Sequence, residues 1–217
     1  MLIARLNSEP EIFYSLQGEG VSAGMPAVFL RLAGCNLHCT WCDSKRSWGQ
    51  GIELSAEEVA ARLLAFPCCH YVITGGEPLL QSAELEKLLP LLPKQAYIEV
   101  ETNGTIKPTS ILSERVDQWN VSPKLPHAGV QDAGAVALPY FAASGKAWFK
   151  FVVQGEADWQ NIEALGLPHE RLVLMPCADN RERLEALLPA VADMALRHRV
   201  RLGNRLHIML WDQKPGV

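Results

Sequence analysis

The stretch Ala27-Val28-Phe29-Leu30-Arg31-Leu32-Ala33-Gly34-Cys35-Asn36-Leu37-His38-Cys39-Thr40-Trp41-Cys42 carries an apolar run directly into a loop with three cysteines. A short apolar run closed by glycine reads as a buried strand. The cysteines Cys35, Cys39 and Cys42 beyond it are spaced C-x₃-C-x₂-C. Three thiolates this close can hold three corners of an iron–sulfur cube, and no fourth cysteine completes the local set. A cluster built for electron transfer normally has every iron closed by cysteine. An open metal position is what separates catalytic from structural sites. Spacing alone leaves a zinc knuckle, a partial disulfide framework and a chance grouping as alternatives.

Working outward, short apolar or β-branched runs alternate with helix-like segments. Strands are predicted at Ala27–Leu32, Tyr71–Thr74, Tyr97–Glu101, Trp119–Ser122, Trp148–Val153, Leu172–Met175 and Arg205–Leu210. The clearest helix is Ser55–Phe66, where Ser55 and Glu58 form a capping box ahead of Val59, Leu63 and Leu64. Ser82–Leu92, Asp158–Leu165 and Arg181–Arg199 read as further helices, and Pro90 and Pro189 are placed to kink or split two of them. Leu125–Ser144, with Gly and Pro scattered through it, yields no clear element. No repeat or linker interrupts the chain, so residues 1–217 read as a single domain.

Seven strands with intervening helices predict an α/β fold: an incomplete (β/α) barrel of mostly parallel strands. Sites in such folds gather beyond the carboxyl ends of the strands. The cysteine loop comes after the first strand, and Thr74-Gly75-Gly76-Glu77-Pro78 after the second. Glu101-Thr102-Asn103-Gly104 ends the third, Ser122-Pro123-Lys124 the fourth and Met175-Pro176 the sixth. Polar and glycine-rich residues thus fall repeatedly at one rim.

Composition narrows the partners. Among 217 residues the net charge is 20 − 24 = −4 without a basic run, which argues against nucleic acid. No apolar run reaches membrane-spanning length and the start lacks a signal-peptide core, which points to the cytoplasm. Thiols stay reduced there, so close cysteines are better read as metal ligands than as disulfides. The remaining Cys68, Cys69 and Cys177 read as small core residues.

The rim residues suggest chemistry of their own. A Gly75-Gly76 pair permits close backbone approach to a ligand, because no Cβ intervenes. Glu77 could accept hydrogen bonds from a cationic amine, or lie solvated in an ordinary turn. Glu101, Thr102 and Asn103 suit a ribose or amino-acid moiety; a polar turn is their plain alternative. Ser122 and Lys124 add a hydroxyl and a charge, and taken alone they are surface turn residues. Pro78 suits a first helical turn.

Together these residues resemble the radical S-adenosylmethionine superfamily, on the cysteine spacing with Trp41 before Cys42, on Gly75-Gly76-Glu77-Pro78 and on the strand-end spacing. The resemblance implies a 4Fe-4S cluster whose open iron is chelated by the methionine amine and carboxylate. It implies cleavage of the sulfonium to a 5′-deoxyadenosyl radical that takes hydrogen from a substrate, with an external one-electron reductant. By position in that family, Gly76 and Glu77 lie near the methionine amine, Ser122-Pro123-Lys124 near the nucleoside and the Trp41 backbone near the adenine. Glu101 and Asn103 would line the nucleoside as well.

A narrower resemblance lies outside those motifs, in Glu11-Ile12-Phe13-Tyr14-Ser15-Leu16-Gln17-Gly18-Glu19-Gly20, Phe29-Leu30-Arg31, Cys42-Asp43-Ser44, Val121-Ser122-Pro123-Lys124 and the ending Arg205–Trp211 with Gly216-Val217. This set is similar to the 7-carboxy-7-deazaguanine synthase family of queuosine and 7-deazapurine biosynthesis. It implies conversion of 6-carboxy-5,6,7,8-tetrahydropterin to 7-carboxy-7-deazaguanine with loss of ammonia, assisted by Mg²⁺, in a homodimer. Arg31 has the planar fork for the substrate carboxylate. Gln17 offers an amide to a pterin edge, with Leu16 and Gly18 giving backbone contacts, and Thr74 could bond the substrate too. Ser44 stands where the family places a hydroxyl ligand to Mg²⁺. Val217 would reach the substrate through its terminal carboxylate. His207 and Trp211 would belong to the same wall or to strand-end packing, and Lys150 would point into the site or along the core.

Two competing readings are an activating enzyme that installs a glycyl radical on a partner protein, and an iron–sulfur electron carrier or zinc module. The first has no use for Gln17, Arg31 and the C-terminal set; the second has none for a cofactor pocket.

Overall fold

A computed structural model of the chain describes residues 1–130 and 135–217; residues 131–134, within the unassigned segment Leu125–Ser144, lie outside the described residues. Four short strands open the chain: β1 (Leu2–Ile3), β2 (Arg5–Leu6), β3 (Glu9–Pro10) and β4 (Ile12–Leu16). Next come β5 (Pro26–Leu32), β6 (Ile52–Glu53) and the helix α1 (Ala56–Leu64). From there strand and helix alternate: β7 (His70–Gly75), α2 (Ser82–Leu88), β8 (Tyr97–Thr102), α3 (Ser110–Arg115), β9 (Gln118–Val121) and α4 (Leu138–Ala143). The chain closes with β10 (Ala147–Val153), α5 (Trp159–Glu163), β11 (Leu172–Pro176), α6 (Arg181–His198), β12 (Arg201–Leu202) and α7 (Leu206–Trp211).

Ten strands form one sheet in the order β12-β11-β10-β9-β8-β7-β5-β1-β6, with β4 paired antiparallel on β5, while β2 and β3 pair with each other apart from it. Along the sheet from β5 to β12 every pairing is parallel. β12 and β6 end the sheet without meeting, so the barrel is open, as the alternation of strands and helices predicts. Side chains alternate across it with the two-residue period of a strand. Val28, Leu30, Tyr71, Ile73, Ile98, Val100, Trp119 and Val121 face the helices and form the main core. The residues between them carry Arg31, Thr74, Glu99, Glu101, Gln118 and Asn120 to the other face. One face is therefore apolar, while the other mixes these polar groups with Phe29, Val72, Val152 and Met175 and carries the chemistry.

Local signals explain the helices. Ser55 and Glu58 make the reciprocal capping box at the start of α1, at 3.1 and 2.7 Å. Pro90 does end α2, which passes into a single 3₁₀ turn at Leu89–Leu91. Pro189 does not break α6: it lies on an exposed face, where water can take the carbonyl left without its N–H partner.

The strand predicted at Arg205–Leu210 is instead helix α7, and the seventh parallel strand is Arg201–Leu202. The alternation of Leu206, Ile208 and Leu210 mimics a strand, yet Leu and Met favour helix and only Ile208 is buried, against Leu184 and Ala178. The cysteines outside the loop also divide: Cys177 is buried, Cys68 is half-buried and Cys69 is exposed in the turn before β7, so Cys69 is no core residue.

Candidate active site

The loops after β5, β7 and β8 are bound to one another at the rim. The Gly76 N–H donates to the Leu32 carbonyl at 3.2 Å, and the Glu77 N–H to the Gly34 carbonyl at 2.9 Å. A Cβ on Gly75 would lie 2.3 Å from the Leu32 oxygen, and one on Gly76 would lie 2.1 Å from the Gly34 oxygen. The close approach that the glycine pair permits is therefore to the backbone of the cysteine loop itself. Glu77 continues the lock. It is fully buried, and its oxygens accept from the Thr102 hydroxyl at 2.8 Å, the Leu79 N–H at 3.0 Å and the Asn103 N–H at 2.7 Å. Burial raises its pKa, partly offset by those donors. Asn103 then reaches back to the cysteine loop, its Nδ2 donating to Asn36 Oδ1 at 2.8 Å.

Above this lock lies a cavity of about 490 Å³, of the size that holds small ligands. Cys35, Cys39, Cys42, Trp41 and Ser44 line one side, and Gly76, Asn103, Ser122 and Lys124 border them. Lys124 Nζ donates to Ser122 Oγ at 2.9 Å and sits 5.3 Å from the centre of the Trp41 ring. Leu16, Gln17, Gly18, Arg31, Thr74, Glu101 and Val217 line the same cavity. Two of the residues singled out from the sequence are not on the wall: Glu77 and Pro123 are both buried behind it. Trp211 is also off the wall, whereas His207 is on it.

The three cysteines are unpaired thiols, and burial raises the pKa of each, so a metal entering here would displace protons. Around one zinc ion, with Zn–S of ~2.3 Å, tetrahedral sulfurs would lie ~3.8 Å apart. Among the described residues, the three sulfurs do not all fall within 4.8 Å of one another. Three thiols on one cavity, with no fourth cysteine beside them, form the donor set of a cluster with an open corner.

Another part of the wall is a network of buried charges. Glu11, 1% exposed, accepts from Arg31 Nε at 2.8 Å and from Arg46 Nη2 at 2.7 Å. Burial raises the Glu11 pKa, and the two guanidinium groups more than reverse this. Arg31 is thus held at its inner edge while it lines the cavity, with Nη1 3.4 Å from the Ser44 hydroxyl. That hydroxyl donates to Asp43 Oδ1 at 2.9 Å. Lys150 points to the polar face: Nζ lies 2.6 Å from Glu101 Oε2 and 3.0 Å from Glu19 Oε2. Burial pushes its ammonium pKa down, but the two carboxylates carry it above the usual lysine range. Arg205 bridges Glu19, at 2.9 Å, and Asp43. Helix α7 docks on the Gln17–Glu19 turn, with the Leu206 N–H donating to the Gly18 carbonyl at 2.8 Å. A Cβ on Gly18 would come within 2.2 Å of His207 Nδ1, so glycine there is what admits the histidine.

Sequence reasoning passed over Glu19, Asp43 and Arg205 as members of this wall, although all three stand inside motifs it quoted. A charge flanked by apolar residues in a strand run, as at Glu99, Glu101 and Lys150, is the signal that marks an inner polar face.

The chain is matched over residues 30–127 by the family model described as the Radical SAM superfamily. It is 46% identical to the 7-carboxy-7-deazaguanine synthase of Pyrobaculum aerophilum over 95% of both chains. It is 36% identical to the enzyme of the same name from Hyperthermus butylicus, over 92% of this chain and 91% of the other. The crystal structure of QueE from Escherichia coli superposes with a TM-score of 0.68 at 27% identity, covering 90% of this chain and 92% of that one. An open parallel barrel with three thiols in its first rim loop is the radical S-adenosylmethionine class of fold. Within that class, the chain belongs to the 7-carboxy-7-deazaguanine synthase family.

Proposed function

We propose that the chain converts 6-carboxy-5,6,7,8-tetrahydropterin to 7-carboxy-7-deazaguanine with release of ammonia. The observation that carries this is one cavity lined both by three unpaired thiols and by the Arg31 guanidinium. Cys35, Cys39 and Cys42 hold a 4Fe-4S cluster, and the Gly76, Trp41, Asn103 and Ser122–Lys124 region receives S-adenosylmethionine. When bound, these groups would supply radical hydrogen abstraction, started by one electron from an external reductant that cleaves the sulfonium. Glu77 and Pro123 serve this region from behind the wall, by fixing the loops that form it. Leu16, Gln17, Gly18, Arg31, Thr74, Glu101 and Val217 bind the pterin, and Arg31 takes its carboxylate in a charge-assisted pair. The Ser44 hydroxyl, beside Asp43, contributes to a Mg²⁺ site shared with that carboxylate, since Mg²⁺ keeps several waters and takes few protein ligands.

The enzyme works as one domain over residues 1–217, in the cytoplasm, as a homodimer and without nucleic acid. Among the described residues no helix is long and apolar enough to cross a membrane.

Anaerobic incubation with the carboxylated tetrahydropterin, cofactor and reductant should yield a product with the mass of 7-carboxy-7-deazaguanine. Unchanged substrate beside a fully loaded enzyme would reject the reaction. Arg31→Ala should raise the substrate KM roughly tenfold to a hundredfold, the worth of a hydrogen-bonded charge pair, while cleavage of S-adenosylmethionine persists. Arg46 remains to balance Glu11, so the variant should fold. Lost cleavage with unchanged pterin affinity would reassign Arg31. Chelation of Mg²⁺ should slow product formation, and an unaffected rate would count against Ser44 as a ligand.

A further inference from the structure

One layer deeper than Glu101, on the same face of β8, Glu99 is fully buried and does not line the cavity. Three side chains donate to it: Gln17 Nε2 at 2.6 Å, His70 Nε2 at 2.9 Å and Asn120 Nδ2. Each amide donor has a second tie that gives it direction. Gln17 Oε1 accepts from the Glu19 N–H at 3.2 Å. Asn120 Oδ1 accepts from Gln118 Nε2 at 3.1 Å, and Gln118 Oε1 accepts from the Tyr97 hydroxyl at 3.0 Å. The chain of donors from Tyr97 through Gln118 and Asn120, and the one from the Glu19 N–H through Gln17, both run toward Glu99.

An amide has nearly the same shape whichever way its two ends point, so shape does not choose its orientation. Charge does. With an ionised Glu99 beneath them, turning Gln17 or Asn120 over would set oxygen against oxygen. Both amides also approach Glu101, Asn120 Nδ2 at 2.9 Å and Gln17 Nε2 at 3.3 Å. Gln17 and Glu101 line the cavity and Asn120 lies behind them, so these orientations settle the hydrogen-bonding pattern that Gln17 and Glu101 present to a ligand.

We propose that Glu99 is a positioning residue whose buried charge, held by His70, fixes Gln17 and Asn120 in one donor–acceptor pattern and so orients the polar edge of the substrate. The inference rests on the pterin reaction for its substrate, though not for the amide orientations themselves. Around Glu99 stand His70 from β7, Gln17 and Ser22 from the N-terminal segment, Tyr97 and Glu101 on its own strand, and Gln118 and Asn120 from β9. Lys150 and Glu19 lie beyond Glu101. Burial raises the Glu99 pKa, yet His70 and the neighbouring donors bring it below the usual carboxylate range, so the charge persists.

Glu99→Gln keeps the shape and removes the charge. In the reconstituted full chain, calorimetric titration should show pterin binding weakened about tenfold or more, the worth of one charge-assisted hydrogen bond. KM should rise in step, while kcat and substrate-independent cleavage of S-adenosylmethionine stay close to the parent values. Glu99→Asp, which keeps the charge, should recover most of the affinity. Parental affinity in Glu99→Gln, or equal losses in both variants, would overturn the proposal. Should Glu99→Gln fail to fold, His70→Phe must weaken binding in the same direction, and unchanged affinity there overturns it too. The side-chain NH₂ signals of Gln17 and Asn120 in NMR read orientation without any substrate. They should be dispersed and slow to exchange in the parent and collapse in Glu99→Gln; identical signals would refute the role. A parent enzyme that ignores the pterin would instead refute the reaction, leaving these signals to decide on Glu99.

Discussion

Cys39→Ala is expected to produce no 5′-deoxyadenosine above background and to hold substantially less iron than the about four per chain of a cubane. Ligation and folding are separable at this residue. Cys39 is 6% exposed and packs with Leu37 and Ala128, so losing its sulfur leaves only a small gap, worth about 1 kcal/mol of burial. The loop around it is fastened by backbone. The Thr40 N–H donates to the Ala128 carbonyl at 3.0 Å, and the Cys42 N–H to the Cys39 carbonyl at 3.2 Å, and neither bond needs the thiol. Melting temperature should therefore change little while cleavage disappears. Cys177→Ala is the control: that residue is buried away from the cavity, and its variant should keep full cleavage. Retained cleavage in Cys39→Ala would show that this thiol is not a ligand.

Gly76→Ala should be as damaging by a different route. The added methyl would fall 2.1 Å from the Gly34 oxygen, 2.6 Å from the Gly34 carbonyl carbon and 2.7 Å from Cys35 Cβ, so it presses on the backbone of the cysteine loop rather than on the end of a flexible side chain. Overpacking between fixed segments costs about 3 kcal/mol, and here the strain acts on the residue next to a cluster ligand. Low soluble yield, a lowered melting temperature and incomplete iron loading are expected together. A variant with normal melting and full iron would mean that the two loops can slide apart, and that the glycine pair has some other purpose. No pterin is needed for either measurement.

The barrel was largely legible because its strands announce themselves twice, by an apolar run and by the polar or glycine-rich segment at its end. Five rim segments stood at strand ends, and the parallel order from β5 to β11 places them where that pattern predicts. The failure at Arg205–Leu210 came from trusting alternation in a segment of Leu, Met and His, where burial of Ile208 alone decides for helix. β1 to β3 were missed since two-residue pairings carry no periodicity, and β4 because its five residues are half-buried or exposed without a clean alternation. In the site, residue types were readable but not their partners. Glu77 is an acidic residue beside two glycines in the sequence; only the fold reveals that its oxygens are already occupied by Leu79, Thr102 and Asn103. Glu99 and Lys150 look like interruptions in apolar strands until the sheet shows that they share the polar face.

The interlocking of the three rim loops has a practical consequence for retargeting. The bonds that join Gly34, Asn36, Glu77 and Asn103 lie in loops that leave β5, β7 and β8. Gln17, Gly18 and His207 reach the cavity from the N-terminal turn and from the last helix. Part of the cavity lining thus comes from outside the fastened loops, while Arg31, Thr74 and Glu101 stand on the strands that carry them. A library that varies the N-terminal turn and the last helix could explore new heterocycles while the bonds among Gly34, Glu77 and Asn103 persist, provided Arg205 is kept, because its pairs with Glu19 and Asp43 tie the last helix to the N-terminal turn and to the cysteine loop.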